Sequence, residues 1–168
     1  MKKLMLSLLV LGLGMQVWAQ EPQVEELSEV RIKVADYKYL DKTNAQEVSV
    51  PVKMLREEVA KFDVKNSAYY QDDYDLYQIS FYIPEGRILA AYDQEGNLLK
   101  TVERFKDVAL PKTVTKAVAS KYPKWSISKD VYLVNYEADE GAKKKYRLRL
   151  ENGGKRIWVK TDENGNFY

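Results

Sequence analysis

The sequence predicts an α+β fold made by tandem duplication, each copy a helix followed by a four-stranded antiparallel sheet. Three recurrences carry that prediction. Tyr77-Gln78-Ile79-Ser80-Phe81 returns in character as Tyr146-Arg147-Leu148-Arg149-Leu150, 69 positions later. At the same offset Arg87-Ile88 returns as Arg156-Ile157, and the turn Asp93-Gln94-Glu95-Gly96-Asn97 as Asp162-Glu163-Asn164-Gly165-Asn166. An apolar residue followed by proline opens each helix, Val50-Pro51 and Leu110-Pro111, 60 positions apart. The offset grows from 60 to 69, which requires nine extra residues before the aligned strands of the second copy, and the segment Glu137 to Ala142 is where they fit.

The first 19 residues have the composition of an export signal. Lys2 and Lys3 precede an apolar stretch from Leu4 to Gly14, and Val17-Trp18-Ala19 fits a small-residue cleavage rule with Gln20 as the first mature residue. The apolar run is shorter than the roughly 20 residues a membrane helix needs. The expectation is cleavage near Ala19, a mature chain without a transmembrane span, and a location in the periplasm or outside the cell. Cleavage leaves 25 basic against 25 acidic residues, so the apparent net charge of +2 belongs to the targeting segment. Mixed charge of this kind carries no nucleic-acid footprint. With no cysteine, the chain must fold by packing alone.

Residues 20–49 read as a linker and a leading strand. Val30, Ile32 and Val34 alternate with Arg31, Lys33 and Ala35, and the rhythm changes phase at Ala35-Asp36 through a bulge or the end of the strand. Repeat 1 covers residues 50–109. Its helix starts at Pro51, with Met54, Leu55, Val59 and Phe62 at helical spacing, because proline suits a first turn whose amide hydrogens lack partners. Its strands are Ala68–Tyr70, Leu76–Ile83, Arg87–Asp93 and Asn97–Phe105. Repeat 2 covers residues 110–168. Its helix carries Val114, Ala117, Val118 and Tyr122 and stops ahead of Pro123. Its strands are Val131–Glu137, Lys144–Glu151, Lys155–Thr161 and a short Asn166–Tyr168. Pro84-Glu85-Gly86, Asn152-Gly153-Gly154 and both Asp-x-x-Gly-Asn segments have hairpin chemistry.

Alternation assigns the faces. Tyr146, Leu148, Leu150, Ile157 and Val159 point to a core, which sends Arg147, Arg149, Trp158 and Lys160 to the other side. Each sheet therefore buries one face against its helix and leaves the other open.

Gly86-x-x-x-Ala90-x-Tyr92-Asp93-x-x-Gly96-x-Leu98-Leu99, then Leu110-Pro111-x-x-Val114, Tyr122-Pro123 and the terminal Asp162 to Asn166 turn form a pattern over residues 50–168. In these positions the chain resembles the PepSY-like family of Bacteroidetes envelope proteins, whose fold is like that of the beta-lactamase inhibitory protein (BLIP-like). The resemblance implies an exported protein with a non-enzymatic binding or inhibitory role, and leaves the ligand open.

The chain contains neither histidine nor cysteine, which removes Cys-His nucleophilic sites, His-based proton transfer and thiolate or imidazole zinc sites. Ser126-Ile127-Ser128-Lys129 has Ser-x-x-Lys spacing but lacks the Ser-Asp-Asn and Lys-Thr-Gly partner motifs. No catalytic, cofactor or metal residue is assigned and the protein is read as a non-enzyme. Asp72, Asp73 and Asp75, with Asp93/Glu95 and Asp162/Asn164, offer oxygen ligands, but neither turn completes an EF-hand.

The thirteen tyrosines, with Trp125 and Trp158, are the stronger functional signal. Trp125, Trp158, Tyr69, Tyr70, Tyr82 and Tyr132 exceed what one core can be assigned. An aromatic between cations on an open sheet suits protein or anionic glycan, whereas cross-strand arginine and lysine stems covering Trp158 would make the same residues merely structural. The candidate partner-binding surface is Trp158, Arg147, Arg149, Lys160, Leu89 and Tyr82, with Leu89 the repeat-1 counterpart of Trp158. The expected function is an exported binding module for an envelope or extracellular protein. The alternatives are a carbohydrate-associated or structural envelope module and a calcium-dependent binding module.

Overall fold

A computed structural model of the protein describes residues 35–44 and 48–168, all within one compact unit. The export segment, the linker and the expected strand Val30–Val34 lie outside the described residues. The elements run α1 (Tyr37–Lys42), α2 (Val50–Lys61), β1 (Leu76–Ile83), β2 (Gly86–Asp93), β3 (Leu98–Lys106), α3 (Lys112–Lys121), β4 (Ser126–Glu137), β5 (Gly141–Asn152) and β6 (Lys155–Asp162).

The strands form one six-stranded antiparallel sheet in sequence order, β1 to β6. This corrects the expectation of a four-stranded sheet in each copy, because three strands follow each of α2 and α3 and the two sets join through β3 and β4. Residues 68–70, expected to be a strand, lie in turns: Ser67 Oγ donates to the Val64 carbonyl at 2.7 Å and Tyr70 N donates to the Ser67 carbonyl at 3.2 Å. The three-residue alternation is too short to outcompete this local bonding. The expected strand Val131–Glu137 does form, within β4. Asn166–Tyr168, also expected to be a strand, contributes only the single bridge Thr161–Phe167.

The two Asp-x-x-Gly-Asn turns are bonded alike. Asn97 N and Nδ2 donate to the Asp93 carboxylate at 2.7 and 2.8 Å; Asn166 N and Nδ2 donate to that of Asp162 at 2.9 and 2.8 Å. Gly96 and Gly165 occupy the left-handed region at φ 84° and 86°, which glycine enters without steric cost. β4 and β5 have 12 residues each, and the turn joining them falls within 137–142.

The helices cover one face. Val52, Leu55 and Val59 of α2 and Val114 and Val118 of α3 share a core with Tyr77, Ile88, Tyr92, Phe105, Val134 and Leu148 of the sheet. The Tyr92 hydroxyl donates to the Val59 carbonyl at 2.8 Å, tying β2 to α2. Met54, expected on the apolar face of α2, is exposed, and Arg56 takes a buried place instead. Asp36 caps α1 by accepting from Tyr39 N at 2.9 Å, so the change of rhythm there marks the start of a helix. Pro51 lies in the first turn of α2, whereas Pro111 is the residue that caps α3; α3 ends at Lys121, with Tyr122 as its C-cap before Pro123.

Beneath the helices sits one buried charge network. Arg56 Nε and Nη2 donate to Glu103 Oε2 at 2.9 and 2.7 Å, and Nη1 donates to the Thr43 carbonyl at 2.9 Å. The Tyr39 hydroxyl donates to Glu103 Oε1 at 2.8 Å. Burial, the largest single influence, would lower the Arg56 pKa, but the charge and hydrogen bond of Glu103 together with Tyr132 and Tyr39 outweigh it and the guanidinium is held more firmly protonated. Burial, with the Glu103 charge second, pushes the Tyr39 hydroxyl well above the ordinary tyrosine range. The network fastens α1 and α2 to β3.

Candidate functional site: the open sheet face

Strand alternation leaves the second face of the sheet without a covering element among the described residues. Register sets its rows. Ser80, Leu89, Val102, Asn135 and Lys143 lie side by side across β1 to β5. Tyr82, Arg87, Arg104, Leu133 and Lys145 form the next row. Lys106, Val131, Arg147 and Lys160 form a third, over β3 to β6.

The expected residues share this face but not one point on it. Arg147 pairs with Lys160 and Arg149 with Trp158 across β5 and β6. The Arg147 guanidinium lies 4.5 Å from the centre of the Trp158 ring, while Trp158 keeps 46% of its surface exposed. A cation over an indole is attracted by the ring quadrupole, so Arg147 is held in place while its outer N–H groups remain free to donate. Arg149 is engaged otherwise: Nε donates to Ser128 Oγ at 2.9 Å and Nη2 lies 2.9 Å from Glu151, which also pairs with Arg156 at 3.0 Å. Leu89 is on β2, with β3, β4 and β5 between it and Trp158, and its row meets β5 at Lys143, whereas Trp158 pairs with Arg149. Tyr82, 65% exposed, stands on the β1 edge. Tyr82 and Trp158 nevertheless line one hollow of about 690 Å³, together with Arg87, Arg104 and Lys129. Acidic groups also border that hollow, among them Asp130, whose carboxyl burial raises despite the Val108 amide donating to it at 3.0 Å.

A second hollow of about 580 Å³ is centred differently. Leu89, Val102 and Leu133, with the Tyr168 ring under the Lys145 ammonium, supply its apolar surface, and Arg87, Arg104, Lys143, Lys145, Arg147 and Lys160 surround them. The one acid among its lining residues, Glu103, is fully buried in the network with Arg56 on the helix side. Arg87, Arg104, Lys145, Leu133 and Val102 were not singled out from sequence. The signal that could have found them is the run Lys100, Val102, Arg104, Lys106, which shares one parity on β3 opposite the core residues Thr101, Glu103 and Phe105.

The other aromatics divide as packing requires. Tyr132 is buried and stacks on Tyr146 at 4.9 Å; Trp125 and Tyr70 are half-buried against the core; Tyr69 is exposed. In the Ser-x-x-Lys segment, Ser126 Oγ donates to the Glu151 carbonyl at 3.3 Å, a strand-pairing contact. Among the described residues no cluster of three or more Asp or Glu side chains is arranged to hold a metal ion. Among them, too, no helix is long and apolar enough to cross a membrane.

No family model, no curated protein and no solved structure matches this chain.

Proposed function

We propose that this protein is an exported, non-catalytic binding module that recognises an envelope or extracellular protein through the open face of its sheet. The finer architecture belongs to the same reading: residues 50–109 and 110–168 are two copies of a PepSY-like unit that merged into one sheet, each losing a different strand. Equal bonding in the two Asp-x-x-Gly-Asn turns supports common descent of the halves. Lys2, Lys3 and the apolar run to Gly14 support export.

The observation that carries the binding role is the continuous six-stranded face on which Leu89, Val102 and Trp158 are each more than one third exposed. Apolar groups kept in water beside fixed donors are the composition of a recognition surface. Protein is favoured over carbohydrate because the Arg147 guanidinium already covers one side of the Trp158 ring, where a sugar would otherwise stack.

Capture from an envelope extract tests the reading. The wild-type chain retains a specific protein, and Trp158→Ala combined with Arg147→Ala releases it while the fold is intact by circular dichroism. Retention of every specific partner by that variant would remove the surface from consideration.

A further inference from the structure

Resting on that protein-binding reading, we propose that the partner presents an acidic segment interspersed with aliphatic side chains, seated over Leu89, Val102 and Leu133 with its carboxylates on the surrounding arginines and lysines. The chain from residue 20 onward has equal numbers of acids and bases, so a cationic face arises here by segregation and not from bulk charge. Six cations line one hollow: Lys143 is paired with Glu140, while Arg87, Arg104, Lys145, Arg147 and Lys160 make no ion pair among the described residues. Elsewhere on the same face the sheet does supply acids: Lys100 meets Glu137 at 3.2 Å and Arg149 meets Glu151 at 2.9 Å.

Five cations so close together repel one another, and a ligand that neutralises them relieves that repulsion on binding. Arg87 and Arg104 are direct cross-strand neighbours, and Arg104 and Lys145 flank Leu133 on either side. Guanidinium groups in fixed positions favour carboxylates, which they can hold with two parallel hydrogen bonds. The aliphatic floor, with Val102 43% exposed, gives neither a fully hydrated polyanion nor a sugar ring the contact it gives an aliphatic side chain.

The test uses the intact chain and four probes: a short peptide of repeated Glu-Glu-Leu triplets, its Gln-Gln-Leu counterpart, polygalacturonate, and vesicles of phosphatidylglycerol. The acidic peptide binds, the glutamine peptide does not, and polygalacturonate and vesicles bind more weakly. Raising salt from about 0.1 M to about 1 M shortens the screening length from about 10 Å to about 3 Å and weakens the acidic peptide at least tenfold. Arg104→Gln with Arg147→Gln does the same with the fold retained, while Lys116→Gln on the exposed side of α3 changes nothing. Equal binding of both peptides, no peptide binding, or preference for polygalacturonate or vesicles would each overturn the proposal. A captured envelope protein that is salt-insensitive yet lost on Trp158→Ala with Arg147→Ala would overturn it too, and would leave the protein-binding reading standing.

Discussion

Arg56 and Arg147 lie on opposite sides of the same sheet and are treated in opposite ways. Arg56 is wholly buried under α1 and α2, and its donors go to Glu103 and to a backbone carbonyl. Arg147 is exposed; its held position comes from the Trp158 ring and not from an acid. A cation taken out of water must bring its counter-charge into the fold, since breaking a buried pair leaves a desolvated charge. A cation left in water has no such need, and a face with several of them can wait for a counter-charge from outside. The comparison teaches which charges hold this protein together and which are available for contact.

The largest expected effect breaks the covered side. Arg56→Met or Glu103→Leu alone destabilises the chain by about 3–5 kcal/mol, because each leaves its partner buried and unpaired. The double variant costs clearly less than the sum, since no orphaned charge remains. Urea unfolding of the three variants measures this; additive losses would mean that the two side chains are not energetically linked.

A smaller effect lies where two neighbouring strands of the sheet approach closely. A Cβ at Gly86 would sit 2.1 Å from the Arg104 carbonyl oxygen and 2.7 Å from the Phe105 side chain. Gly86→Ala therefore forces β2 away from β3 and costs about 1–3 kcal/mol, read as a lowered unfolding midpoint. It also disturbs Arg87 and Arg104 together, so partner affinity falls with stability in this variant alone.

Acid separates the β6 turn from the rest. Hydrogen bonds from the Asn166 side chain, the first cause, and from its backbone amide hold the Asp162 carboxyl below its ordinary range. A folded-state pKa below the unfolded one gives stability present above the unfolded pKa and lost as pH falls through the folded value. The protection factor of the Asn166 amide accordingly stays high at neutral pH and falls in acid below the usual aspartate range. Asp162→Asn makes exchange fast at neutral pH and removes the acid step; an unchanged profile would deny the carboxylate that role.

The smallest effect on stability belongs to the open side. Arg104→Gln changes unfolding free energy by no more than about 0.5 kcal/mol, as exposed substitutions without partners do, and Arg147→Gln, which loses its contact with the Trp158 ring, by about 0.5–1 kcal/mol. A larger loss would make these arginines structural.

Strands whose alternation is long were legible from sequence alone: Leu76–Ile83 has the expected bounds, and Arg147, Trp158 and Lys160 share the expected face. Period two identifies faces wherever one side is apolar. What could not be read was which of the expected strands would form. Residues 68–70 and 166–168 carry the right residue types, but strand formation there depends on a neighbour to pair with, a tertiary fact. Arg56 was also hidden, because an arginine at a core position of α2 looks like an error until Glu103 is seen to face it. The cationic hollow was half legible. Repeat 2 displayed its cations beside a tryptophan, whereas Arg87 and Arg104 gain meaning only once β3 pairs with β4 and joins the halves.

The most direct measurement is a nuclear magnetic resonance titration of the chain with the Glu-Glu-Leu peptide, following backbone amides and the Trp158 indole. The account predicts shifts confined to β2 to β6 at Leu89, Val102, Leu133, Arg147 and Trp158, with Val114 and Val118 of α3 unmoved. Shifts concentrated on the helices, or none at saturating peptide, would contradict it.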